Sequence, residues 1–249
     1  MSSLRPDETK SILEHFVDLK RRIFIALGAI IIGAVIANFF HEQIIAFLLR
    51  PLGDQHLIFL SPLEPLFFVL EIDCIAGVII TFPVVVWCIF SYIIPVLPAR
   101  AKKFLVSFYI SSTALLILSL WYAFFVMIPL SLKFLTSITV AGITNSFSVE
   151  NYLSFYITQA VIIMAIFQVP ILIVGGIYLG AFKTETLSSK RRYIYLFLTI
   201  ALAIITPTTD IFSLCVVLIP CLMIFEISLI GGKIVEMIKK KRGKMPIET

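Results

Sequence analysis

The residues that could do chemistry are few, and none stands in a catalytic arrangement. His15, His41 and His56 are isolated, with no second ligand at metal-binding spacing. No HExxH, GxSxG, phosphate-loop or GxGxxG pattern occurs. Cys74, Cys88, Cys215 and Cys221 lie inside apolar runs without a CxxC pair, so they read as small buried hydrophobes rather than disulfides or zinc ligands. What remains is a set of polar groups in apolar surroundings: Glu71, Asp73, Gln168, Asp210 and Glu226. Such groups recognise charge and hydrogen-bond partner helices; they do not assemble a reaction centre. The sequence therefore predicts a non-enzymatic protein with no metal and no cofactor.

Those groups are expensive where they stand. A charge at the centre of a membrane helix costs about 2.5 kcal/mol or more, so each needs a partner or an interfacial position. Glu71 and Asp73 fall at the entrance of an apolar run and read as interfacial. Asp210, after Thr208 and Thr209, reads as a helix N-cap. Glu226 has Arg191 or Arg192 as candidate partners, or a polar cavity to face. Gln168, two residues before Pro170, has two readings of equal weight: bonding carbonyls freed by the proline, or recognising a partner helix.

The elements that must position these groups are membrane spans. Hydrophobic residues make up 60% and charged residues 14% of 249 positions, where soluble domains carry about 25% charged residues. Mean hydropathy is +1.06. No water-soluble surface can be built from so few polar residues. Met1 to Arg22 mixes acidic and basic residues with no clear cleavage site, unlike a secretory signal.

Six spans are expected: 23–40, 74–97, 104–132, 152–182, 193–207 and 211–232, followed by a basic cytoplasmic tail at 233–249, all within one membrane domain. Thr206 to Asp210 reads as a tight turn between two short helices. His41 to Arg50 reads as an amphipathic segment on the outer face, stopped by Pro51. Ser148-Val149-Glu150-Asn151 reads as the start of the fourth helix, and these pieces together suggest an outer cap. Pro83, Pro95, Pro129, Pro170, Pro207 and Pro220 kink or end helices, which favours a curved bundle with a concave face.

Orientation follows from the cations. All but two of the 20 Lys and Arg residues fall before the first span, in the second and fourth loops, or after the last span. The exceptions are Arg50 and Lys133. The positive-inside rule then places both termini in the cytoplasm. The net charge of +5 is a topology signal, and no nucleic-acid partner is expected.

In order and spacing the motifs resemble the TatC family, the multispanning core subunit of the twin-arginine translocase. The resemblance covers nearly the whole chain. It rests on Glu14 to Arg22, which is similar to an H-x-x-E-L-R-x-R element, and on Leu49-Arg50-Pro51-Leu52, Pro83 and Pro95-Val96-Leu97. It continues in Tyr152-Leu153-Ser154-Phe155, Phe167-Gln168-Val169-Pro170, Thr206-Pro207, Asp210-Ile211-Phe212-Ser213, Ile219-Pro220 and Phe225-Glu226.

This resemblance implies an all-α polytopic fold in a bacterial inner membrane. It implies a receptor and conduit that binds twin-arginine signal peptides and exports folded proteins with the proton-motive force. The implied signal-peptide residues are Glu14, Asp18, Lys20, Arg22, Tyr92, Pro95 and Lys103; Gln168, Asp210 and Glu226 would serve partner helices, and Pro51 the outer cap. Implied partners are single-span subunits similar to TatA and TatB, the lipid bilayer, and further copies of the chain within a complex. The chain departs from the family pattern in having Asp18 for Glu, Lys20 for Arg, Ala101 for the Glu of the second loop, and Gln168 for an intramembrane Glu. The reading from another functional class is a small-solute transporter or channel, which would carry flux without partner helices.

Overall fold

The computed structural model describes residues 12–53, 57–93, 99–138, 147–206 and 210–242, without the side chains of 12–16, 93, 99–104, 241 and 242. Helix α1 (Ile12–Asn38) is followed by α2 (His41–Leu49), a 3-10 turn (Arg50–Leu52), a two-residue strand β1 (Leu57–Ile58) and α3 (Glu64–Ile93). Next come α4 (Ala99–Tyr122), a π turn (Ala123–Met127), α5 (Ile128–Ser137), strand β2 (Phe147–Ser148) and α6 (Val149–Leu179). Then follow α7 (Thr184–Ser189), α8 (Arg191–Ile205) and α9 (Ile211–Arg242). The protein is all-α and polytopic, apart from the short parallel pairing of β1 with β2.

Among the described residues, four stretches are long and apolar enough to cross a membrane: Glu64–Tyr92, Leu105–Ser137, Val149–Leu179 and Ile211–Lys240. A fifth is reached if α1 and α2 form one broken span. Helix α8 has 15 residues, about 22 Å at 1.5 Å per residue, against ~30 Å of hydrocarbon.

Several element ends differ from the sequence reading. Helix α3 starts at Glu64 rather than near Cys74, because the Glu64 carboxylate accepts the Leu60 amide at 2.7 Å and anchors the first turn. Asp73 is buried rather than solvated, and accepts a hydrogen bond from Asn38 at 2.6 Å. Helix α1 ends at Asn38, whose carbonyl accepts from His41 Nδ1 at 2.6 Å. Helix α6 stops at Leu179 because Gly180 takes φ +83, a left-handed cap in which the Ala181 amide bonds the Gly176 carbonyl at 2.8 Å. Helix α9 is not short. It runs for 32 residues through Glu226 and well into the expected tail. Cys74 and Cys215 are exposed on apolar helix surfaces; only Cys88 and Cys221 are buried.

The chain divides into two compact units. One comprises residues up to His41 with Leu70–Tyr109. Here α1 crosses α3 at glycines: a Cβ on Gly77 would stand 2.5 Å from the Ala34 nitrogen, and one on Gly33 2.7 Å from the Gly77 carbonyl oxygen. Trp87 packs edge-on against Tyr109 with centroids 5.3 Å apart.

The other unit comprises Glu42–Val69 and Ile110 onward. Its main core joins Ala123, Met127, Ile163, Phe167, Val217 and Cys221. A second cluster of Leu52, Ile128, Leu132, Tyr152 and Tyr156 lies beneath α2 and the 3-10 turn. The π turn immediately precedes Pro129. A proline lacks the amide for an α-helical bond, and the wider turn accommodates that loss without breaking the long helix.

Candidate functional site

Within the first unit, α1 and α3 bring residues remote in sequence together. The Arg22 guanidinium donates to Ser91 Oγ, and Ser91 in turn donates to the Cys88 carbonyl at 3.2 Å. Arg22 is half-buried, as is Tyr92 next to Ser91. One turn earlier on α1, Asp18 is half-buried and engaged in an interaction of its own. Lys20 is exposed, its Nζ 5.9 Å from the centre of the Phe24 ring. Glu14 is in α1 four residues before Asp18, a spacing that puts both on one helical face. The Glu14 side chain lies outside the described residues, as do the side chains of Ala101 and Lys103, which the backbone places in α4. Pro95 lies wholly outside them. The structure therefore joins Arg22, Ser91 and Tyr92 at one locus. Ser91 escaped sequence reasoning because a single serine in an apolar run gives no signal.

The intramembrane polar residues are distributed over the second unit. Gln168 on α6 and Ser112 on α4 are reciprocally bonded: Ser112 Oγ donates to Gln168 Oε1 at 2.7 Å, and Gln168 Nε2 donates to the Ser112 carbonyl at 3.2 Å. The amide thus bonds a helix of its own chain. Asp210 caps α9 as expected, accepting the Ser213 amide at 2.6 Å. Glu226 pairs with Arg191 at 3.1 Å and also accepts from the Tyr195 hydroxyl. That pairing explains why α9 passes through Glu226 without interruption: the carboxylate is met by a cation and a phenol from α8. Farther along, Glu236 accepts the Thr184 amide at 2.9 Å, and Lys239 donates to the Tyr178 carbonyl while lying 4.9 Å from the Tyr178 ring centre.

At the opposite end of this unit, α2 is tied down. The Tyr152 hydroxyl donates to the Leu48 carbonyl at 2.5 Å, and β1 pairs with β2 through Leu57–Phe147 and Ile58–Ser148. Phe47 meets Phe124 and Phe125 edge-on at 5.6 and 5.9 Å. Pro51 occupies the first positions of the 3-10 turn and directs Leu52 into the core. The Ser148 side chain accepts the Asn151 amide at 3.3 Å and caps α6. Among the described residues, no group of three or more His, Cys, Asp or Glu could hold a metal ion.

These features coincide with one family. Residues 14–220 match the family model described as Sec-independent protein translocase protein (TatC). The Sec-independent protein translocase protein TatC of Aquifex aeolicus is 32% identical over 237 residues, covering 93% of this chain and 98% of that protein. Its counterpart in Escherichia coli K12 is 26% identical over 226 residues, covering 89% and 87%. Two crystal structures of the twin-arginine translocase receptor TatC are 32% identical and superpose with TM-scores of 0.75 and 0.78, covering 90% and 88% of this chain and 100% and 99% of theirs. The chain is an integral membrane protein of the TatC family, and so a component of the Sec-independent protein translocase.

Proposed function

We infer that this chain is the receptor and conduit subunit of a twin-arginine translocase, with six spans and both termini in the cytoplasm of a bacterial inner membrane. It binds twin-arginine signal peptides of folded cargo, assembles with further copies and single-span subunits, and works with the proton-motive force. The observation that carries this reading is the hydrogen bond from Arg22 to Ser91. It joins α1 at Arg22 to the end of α3 that bears Tyr92, and Asp18 stands one turn before Arg22 on α1.

Carboxylates suit arginine because a guanidinium offers two parallel donors to two carboxylate oxygens. Ala101 offers none, so recognition in this chain rests on Asp18 and Glu14, with Lys20, Arg22, Tyr92, Pro95 and Lys103 as the further residues that the family resemblance implies. In the membrane, Asp210 and Glu226 act on α8 and α9 by capping and pairing, which shapes the surface a partner helix meets. Gln168 supports that surface through Ser112.

The test is co-purification from native membranes of the tagged chain with single-span Tat subunits and a twin-arginine precursor, beside precursor export in cells that depend on this chain. Specific recovery of both, with export lost when the chain is removed, is expected. Export unaffected by its removal, or equal recovery of a twin-lysine precursor, would overturn the reading.

A further inference from the structure

The junction of α5, α6 and α9 contains four buried polar side chains that no described residue satisfies. Ser131, Gln159 and Ser213 are completely buried and Tyr156 is 2% exposed. The Ser131, Ser213 and Tyr156 hydroxyls and both polar atoms of the Gln159 amide have no hydrogen-bond partner among the described residues. Three other buried helical hydroxyls bond their own helices, although that of Thr184 on α7 also lacks a partner among the described residues. Ser119 and Ser228 donate to the Leu116 and Ile224 carbonyls at 2.6 Å, and Thr81 to the Gly77 carbonyl at 2.7 Å. Ser131 and Ser213 do not turn back to their own helices.

The four residues share one level of the bundle. Helices α6 and α9 run in the same sense: Ile163 and Val217 belong to one core, and farther along Val174 and Ile177 lie against Gly231 and Gly232. One turn back from Ile163 is Gln159, and one turn back from Val217 is Ser213. On the third helix, Met127 belongs to the same core, and Ser131 lies one turn beyond it. Phe134 and Phe212 stack at 4.8 Å, which fixes this part of α5 beside the start of α9. Tyr156 packs with Ile128 and Leu132, the neighbours of Ser131. Asp210 Oδ1, also buried and unpartnered, stands one turn before Ser213.

A buried polar group left unsatisfied is costly, and apolar lipid offers no remedy. An occupant must be small, because the residues are enclosed. It must be neutral or nearly so, because none of the four carries charge. It must both donate and accept, because the amide and the hydroxyls present both roles. We propose that Ser131, Tyr156, Gln159 and Ser213 form an internal water-binding site that joins α5, α6 and α9.

X-ray hydroxyl-radical footprinting of the intact chain in detergent tests this, because bound water generates radicals where bulk solvent does not reach. Tyr156 is expected to be modified, while Phe167, 5% exposed in the apolar core, is spared. Gln159→Leu, and separately Ser131→Ala and Ser213→Ala, should abolish or reduce modification of Tyr156; the two alanine variants keep the test open if the leucine variant does not fold. Tyr156 modified no more than Phe167 would overturn the proposal. So would modification unchanged in every folded variant.

Discussion

Ser112 and Gln168 hold each other through two hydrogen bonds, at 2.7 and 3.2 Å, between α4 and α6. The pair stands near Pro170, where α6 lacks one backbone bond. The amide stabilises the α4–α6 contact inside the chain, and any partner helix meets a surface that this contact has shaped. Gln168→Leu is expected to lower thermal stability in detergent by roughly 0.6–2 kcal/mol, the range of interhelical polar contacts in membranes. Ser112→Ala should cost a similar amount, and the double variant should show less than the sum. Fully additive losses would show that the two residues act separately.

The glycine crossing of α1 and α3 admits no side chain. Gly77→Ala brings a Cβ within 2.5 Å of backbone, which cannot move aside as a flexible side chain can. A loss of about 1–3 kcal/mol is expected, read as a lower melting temperature of the purified protein. Gly28, with nothing within 4 Å of its Cβ position, should accept alanine without loss.

Arg191 and Glu226 are both partly exposed, at 40% and 35% of their side chains. Screening therefore limits the ion pair to about 0.2–1 kcal/mol. Glu226→Gln should cost little and keep the Tyr195 contact, whereas Glu226→Leu should cost more by leaving both Arg191 and Tyr195 without their partner. The exchanged pair Arg191→Glu with Glu226→Arg should recover part of that loss. A double-mutant cycle on thermal stability measures the coupling, and a coupling of zero would contradict the pairing.

Topology has its own check. A reporter fused after Arg50 or near Asn145 should read outside, and one near Arg100, Lys190 or Lys240 inside. One fusion reading the opposite way would break the six-span arrangement.

Much of this was legible in the residues, for physical reasons that also mark the limit. The cost of a carboxylate in lipid narrowed Glu226 to Arg191, Arg192 or a polar cavity, and the fold chose Arg191. The capping roles of Asp210 and Ser148 followed from short polar side chains standing before apolar helices. The Ser112 partner of Gln168 could not be foreseen, because serine is common in apolar helices and its hydroxyl usually bonds its own backbone. The burial of Asp73 could not be seen in the sequence because its partner Asn38 is on another helix. The extension of α9 beyond 232 was missed because the charges from Lys233 onward read as a tail until Glu236 and Lys239 are seen to meet Thr184 and Tyr178. Where α1 meets α3, Arg22 stood out by type, whereas Ser91 became visible only when the fold placed it against Arg22.

The central claim is that this chain reads paired arginines through the start of α1. The most direct measurement is the affinity of the purified chain for a twin-arginine precursor, set beside the Asp18→Asn, Ala101→Ser and Ala101→Glu variants. Asp18→Asn is expected to weaken binding more than Ala101→Ser does. Ala101→Glu is expected to tighten it, since a charge-assisted hydrogen bond contributes about 1.5–3 kcal/mol, roughly 10- to 150-fold in affinity. Equal affinity of the unaltered chain and Asp18→Asn, with a twin-lysine precursor bound as well as the twin-arginine one, would contradict the account.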